Sequence, residues 1–175
     1  MTAFILFLAL GGLGLAAAPV QDKPLEVVDH VDLERYLGTW YEIATIPQRF
    51  QKGCVGVTAT YSLRPDGKIR VINRCRKETL DGQLKEVDGK AWVVDRKTNA
   101  KLKVQFFWPF SGSYWIIELD ADYQWAVVGH PGRKYLWILC RTPKMDQALY
   151  DDLIGRIRDK GYDVARIKTT LQSSD

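Results

Sequence analysis

Between Gly38 and Arg141 apolar and polar residues alternate in short segments, interrupted by turn-forming residues about every ten positions, the pattern of successive β-hairpins. Thr58-Ala59-Thr60-Tyr61-Ser62-Leu63 alternates, Arg64-Pro65-Asp66-Gly67 supplies turn chemistry, and Lys68-Ile69-Arg70-Val71-Ile72-Asn73-Arg74 alternates again with its charges on one face. The same pattern predicts strands over 84–95, 100–107, 113–119, 124–130 and 134–141, with turns at Asp120-Ala121-Asp122 and His130-Pro131-Gly132-Arg133. With a strand opened by Gly38-Thr39-Trp40 the count reaches eight. After Thr142-Pro143 the period lengthens: Leu149, Leu153, Ile154 and Ile157 recur at helical spacing and Gly161 follows as a stop signal. One amphipathic helix is therefore expected outside the sheet, followed by a last short strand over 165–171.

Eight antiparallel strands in up-and-down order close into an all-β barrel just wide enough for one small ligand, and closure removes exposed edges. Side-chain parity then sorts the faces. Lys101, Lys103 and Gln105 point out, so Leu102, Val104 and Phe106 point in. By the same rule Ile69, Val71 and Asn73 face inward, as do Val57, Ala59 and Tyr61. These inward sets mix small and aromatic residues with few branched aliphatics, which favours a cavity; a filled small barrel has a similar pattern, and both readings stay open.

Composition changes the picture little. The 175 residues, about 46% hydrophobic and 26% charged, suit one folded domain with a real core. The net charge of +4 comes from basic residues scattered among acidic ones, which argues against nucleic-acid binding. The first twenty residues carry no ionised side chain, and the apolar run Phe4 to Leu15 ends in Ala16-Ala17-Ala18. Residues 1–18 are read as a signal peptide for export and 19–30 as an N-terminal extension, leaving 31–175 as the folded domain. Retention of the run as an anchor is the competing reading, because no Lys or Arg precedes it and Pro19 follows Ala18 directly. No cysteine lies near the cleavage region, so no lipid-anchor cysteine is expected there.

No catalytic constellation emerges, and no enzyme activity, cofactor or metal is expected. His30 and His130 are isolated, and neither a Cys/His metal spacing, a Gly-x-Ser-x-Gly elbow nor a phosphate-cradling glycine loop occurs. Glu42 shares the parity of Trp40 and is expected inside the barrel. A structural hydrogen bond is the favoured role for its carboxylate and a general base the alternative.

Three ordered blocks carry a family resemblance. Tyr36-Leu37-Gly38-Thr39-Trp40-Tyr41-Glu42-Ile43 holds a Gly-x-Trp signature, Asp120-Ala121-Asp122-Tyr123 follows, and Leu136-Trp137-Ile138-Leu139-Cys140-Arg141-Thr142-Pro143 completes the set. The span from about 30 to 171 resembles the lipocalins, in particular the bacterial lipocalins and their animal relative apolipoprotein D. The resemblance implies that Trp40 and Arg141 form a structural floor, the guanidinium lying across the indole. Position by position it implies a ligand pocket lined by Tyr36, Tyr61, Asn73, Phe106, Tyr114 and Trp137. The implied partner is one small hydrophobic ligand, a fatty acid or lysophospholipid, bound by a monomer or homodimer exported to the bacterial periplasm or outer membrane.

Three details follow within that frame. Asp122 is expected to cap its turn at the closed end. Phe107-Trp108-Pro109-Phe110 falls in a loop at the open end, either as a mouth lid or as a patch that touches a membrane. Cys54 and Cys75 are candidates for a disulfide on neighbouring strands, although parity sets Cys54 outward and Cys75 inward unless Gly53 or Gly56 makes a bulge. Cys140 is expected to be a buried free thiol. The competing functional readings are an interaction protein with a filled barrel and, further off, a lipocalin-fold enzyme.

Overall fold

The computed structural model describes residues 23–173. A four-residue helix α1 (Leu33–Tyr36), capped where Asp32 accepts from the Glu34 and Arg35 amides, leads into β1 (Gly38–Thr45). Seven more strands follow: β2 (Cys54–Leu63), β3 (Ile69–Lys77), β4 (Leu84–Val93), β5 (Lys101–Phe107), β6 (Phe110–Leu119), β7 (Trp125–Gly129) and β8 (Leu136–Cys140). Each pairs antiparallel with the next, and β8 returns to β1, Tyr41 opposite Cys140 and Thr45 opposite Trp137. The barrel is thus closed, and one helix, α2 (Gln147–Asp159), lies outside it.

Alternation along these strands separates two cores. The inner one gathers Trp40, Tyr61, Val71, Leu102, Ile116, Val128 and Leu139. The outer one lies beneath α2, where Leu153 and Ile157 are fully buried against Ile117, Val127, Leu136 and Ile138. Burying each such helix side chain contributes about 1.5–3 kcal/mol. Asp146 caps the helix by accepting from the Leu149 amide, and Glu118 on the barrel wall pairs with both Arg156 and Lys160.

β1 and β2 pair only from Gly38 to Tyr41, against Thr58 to Tyr61. Above that they splay, and the chain's end fills the gap. A two-residue strand β9 (Lys168–Thr169) adds to β1, the Thr170 amide donates to the Ile43 carbonyl, and the Gly56 amide donates to Leu171. The strand expected over 165–171 is therefore much shorter: Val164–Arg166 form a 3-10 turn capped by Asp163, and Thr170 and Leu171 bond across the gap to β1 and β2.

The structure corrects two expectations. Phe107 and Phe110 are not loop residues: they close β5 and open β6 as a cross-strand pair, leaving Trp108 and Pro109 as the turn. Asp120, not Asp122, caps its turn, accepting from the Gln124 amide through its carboxylate, whereas Asp122 contributes only its backbone carbonyl, to the Gln124 side chain. Within the segment expected to be an N-terminal extension, Leu25, Val27 and Val28 pack on the barrel, and the Val28 amide donates to the Ile116 carbonyl. The signal-peptide reading of 1–18 lies outside the described residues.

The cysteine parity conflict resolves through a bulge. Register shifts between Val55 and Thr58, with Gly56 at φ +56°, so Cys54 turns to the side of Cys75 and the two form a disulfide with Cα atoms 5.4 Å apart. Cys140 is free and buried, its Sγ facing outward to Thr142 and the Lys144 carbonyl.

At the end where α1 enters, the barrel is sealed. Trp40 is fully buried, its indole N–H donates to the Tyr36 carbonyl, and the Arg141 guanidinium lies 3.8 Å above its ring. Arg141 also donates to the carbonyls of Tyr123, Thr39 and Arg35. Trp40→Ala is expected to lower unfolding free energy in urea by about 3–5 kcal/mol, and Arg141→Ala by about 1–2 kcal/mol, since the ring contact and the half-buried bond to the Tyr123 carbonyl are lost while the Thr39 and Arg35 carbonyls stay open to water. A loss under about 1 kcal/mol in both would show that the floor is not a stability element.

Candidate functional site

The floor continues upward as three tyrosines. Tyr36 reaches in from α1, Tyr61 from β2 and Tyr114 from β6. The Tyr114 hydroxyl lies 2.8 Å from that of Tyr36 and 2.9 Å from that of Tyr61. Burial pushes the Tyr61 phenol up to about 12, with the Tyr114 hydrogen bond opposing it, and burial raises Tyr36 and Tyr114 well above the ordinary phenol value. All three therefore stay protonated at any physiological pH. Three O–H donors meet in two contacts, so one donor is left over.

Around this triad lies a small enclosed space lined also by Leu33, Ile69, Ala91, Leu102, Val104 and Ile116, with about 10 Å³ of free volume. That is room for about one water-sized group. The lower barrel is therefore filled. Small and aromatic inward residues do not leave a deep cavity here, because the aromatic rings from three elements converge on it.

The upper wall differs. Ala59, Asn73 and Val87 stand side by side across β2, β3 and β4, and since Ala59 faces the inner core, directly opposed residues place Asn73 and Val87 on the inner face as well. Val87 is nonetheless 38% exposed, so the lumen there is open to solvent. Asn73 Oδ1 is buried with no hydrogen-bond partner. Phe106 packs where Gly89 lacks a side chain: a Cβ at Gly89 would lie 2.6 Å from the ring. Trp137 on β8 is half-buried, 6.2 Å from the Tyr135 ring. Of the six residues implied as pocket lining, Tyr36, Tyr61 and Tyr114 thus meet at the base, whereas Asn73, Phe106 and Trp137 line the wall above.

Sequence reading missed the network that ties this wall to the mouth. Glu42, only 4% exposed, accepts 2.9 Å from the Gln51 amide of the β1–β2 loop and 2.6 Å from the Thr170 hydroxyl of the tail. The Trp137 indole N–H donates to the same Gln51, and the Gln172 amide donates to the carbonyls of Glu42 and Val57. Gln48 is buried with both side-chain polar atoms unpartnered. Parity pointed to Glu42 and to its hydrogen-bonded role. Nothing in the local pattern marks Gln48, Gln51 or Thr170, whose partners lie in distant segments.

A closed up-and-down barrel with a sealed floor, an outer helix and an open mouth defines the class, and the comparisons agree. Residues 31–172 match the family model described as a lipocalin-like domain. The chain belongs to the lipocalin family. It is 42% identical over 162 residues to temperature-induced lipocalin-1 of Arabidopsis thaliana, covering 87% of this chain and 86% of that one. It is 43% identical over 150 residues to the outer membrane lipoprotein Blc of Escherichia coli strain K12, covering 86% and 84%. Apolipoprotein D of Macaca fascicularis is more distant, 33% identical over 156 residues, with 85% and 80% covered. Among solved structures, insecticyanin of the tobacco hornworm Manduca sexta superposes with a TM-score of 0.68 over 86% of this chain and 85% of that one, at 18% identity, and so shares the fold.

Burial pushes the Glu42 carboxyl above its ordinary value of 4.5, against the opposing hydrogen bonds from Thr170 and Gln51. A group with a raised folded pKa contributes stability that is complete below its unfolded pKa and is lost as pH rises through the folded one. Glu42→Gln is therefore expected to gain stability relative to the parent chain as pH goes from about 4 to about 7. The check is the difference in urea midpoints at the two pH values, and a difference that does not change with pH contradicts burial as the governing cause.

Proposed function

We propose that this lipocalin binds and carries one small amphiphile, a fatty acid or lysophospholipid, with its chain in the upper lumen and its polar head near the mouth, and that it catalyses nothing. The observation that carries the reading is the inner wall: Val87, Phe106 and Trp137 are apolar, face inward and remain partly open, while the barrel beneath them is sealed. Such a half-wet apolar wall with few polar groups is what a ligand pocket offers. An acyl chain of about 16 carbons, at about 0.8 kcal/mol per buried CH₂, supplies about 12 kcal/mol before ordering costs. Micromolar binding needs about 8 kcal/mol.

Polar groups would then fix the ligand's position. The buried Asn73 oxygen lacks a donor and the tyrosine triad has one donor to spare. A ligand hydroxyl can donate to the first, whereas a hydroxyl or ester oxygen can accept from the second. The non-catalytic part of the reading rests on the one buried carboxylate of the wall, Glu42, whose two oxygens are already committed to Gln51 and Thr170. Similarity to outer membrane lipoproteins named Blc supports export to an envelope compartment. The uncovered Trp108 turn supports a peripheral membrane contact over a lid.

The filled-barrel interaction protein stays as the competing reading, supported by the small free volume above the floor. Native mass spectrometry of protein purified from cells separates the two. Lipid-mass adducts, displaced by a fluorescent fatty acid, are the expected result, and a clean apo mass with no displacement overturns the proposal. Trp137→Ala is expected to weaken fatty-acid affinity about tenfold and leave the melting temperature nearly unchanged. Unchanged affinity in a folded variant would remove Trp137 from the pocket.

A further inference from the structure

All four strand connections at the mouth, between β1 and β2, β3 and β4, β5 and β6, and β7 and β8, point the same way. Among the described residues, most large apolar side chains left exposed are at this end: Phe50, Leu84, Phe107, Trp108, Phe110 and Tyr135. Trp108 is 86% exposed and Phe50 73%, so these rings neither cover the lumen nor pack on one another as a lid would. Phe107 and Phe110 are a cross-strand pair with Trp108 and Pro109 as the turn between them, so the exposed rings are gathered at the hairpin tip.

Charge is distributed to match. Arg49, Lys52, Lys77, Lys85 and Lys134 surround the mouth against Glu78 and Asp81, whereas at the sealed end Asp32, Glu34, Asp66, Asp95 and Asp120 are balanced by Arg35, Arg64, Lys68, Arg96 and Lys97. We infer that the protein docks mouth-down on an anionic phospholipid bilayer, with Phe50 and the Phe107–Phe110 tip set among the headgroups and this basic ring against their negative charge. Tryptophan beside lysine and arginine is the combination favoured at the bilayer interface. A protein partner fits less well, because lysine is depleted from protein–protein interfaces. The sealed end, with its acidic and basic residues in near balance, offers that surface no comparable attraction, which orients the molecule. The inference deepens the proposed lipid carriage and rests on it only for what passes through the mouth; docked this way, an acyl chain moves between bilayer and lumen without crossing water.

The test uses the full chain and vesicles of phosphatidylcholine, with or without about 30% phosphatidylglycerol, scored by flotation and by quenching with brominated lipids. The N-terminal apolar run is the same in every variant, so the differences report the mouth. Partitioning is expected to be about tenfold stronger on the anionic vesicles and to lose that advantage in about 0.5 M salt. The Lys52→Glu, Lys134→Glu double variant is expected to lose the preference for anionic lipid. Trp108→Ser is expected to lose most of the bromine quenching and to bind about fivefold more weakly. Equal binding to both vesicle types, or variants that match the parent chain, overturns the inference. So does a Trp108→Ser change that alters fatty-acid release in vesicle-free solution while vesicle binding is unchanged, since that is the behaviour of a lid. Fatty-acid displacement without vesicles separates the two readings: docking with no fatty acid bound supports the docking surface and removes the proposed ligand, whereas fatty-acid binding without docking removes the docking surface alone.

Discussion

A tube of strands has two open ends, and a lumen exists only if one of them is sealed without leaving polar backbone unpaired. Here the seal is the contact between the Trp40 indole and the Arg141 guanidinium, 3.8 Å apart, with three carbonyls from three separate segments bound to the same guanidinium. A hydrophobic plug alone would leave the half-buried Tyr123 carbonyl without its donor and the three segments untied. Arginine resolves this because its planar donors reach several acceptors while its face rests on the ring. Strand β8, the entry helix and the turn before β7 are thereby fixed to β1, and the ladder between β8 and β1 closes in a defined register.

The height of the floor above this seal is set by the three tyrosines, whose hydroxyls need one another because the surrounding wall is apolar. Their convergence fills the lower barrel and moves the usable lumen toward the mouth. There a second polar element takes over. Glu42 joins β1 to the mouth loop through Gln51 and to the chain's end through Thr170, in the place where β1 and β2 no longer pair. The tail closes a gap in the wall that the bulged β2 cannot close, and the same bulge turns Cys54 toward Cys75. Floor, gap and disulfide are thus separate answers to one geometric demand, a closed barrel with one open end.

Much of this was legible in the chain itself. Alternation and turn chemistry determined the number and order of the strands, the change to helical spacing determined α2, and the ordered blocks around Trp40, Asp120 and Arg141 carried the family, because each follows from residues close together in sequence. Parity also placed Val71, Asn73, Leu102 and Glu42 inside. Only the tertiary structure decided that Tyr36, Tyr61 and Tyr114 form one hydrogen-bonded cluster, that Gln51 and Thr170 share Glu42, that Asp120 and not Asp122 caps the turn, and how far the lumen is filled. These depend on contacts between segments tens of residues apart and on the volume left when side chains from opposite walls meet. A period of two specifies which way a side chain points, and it says nothing about what it meets across the barrel.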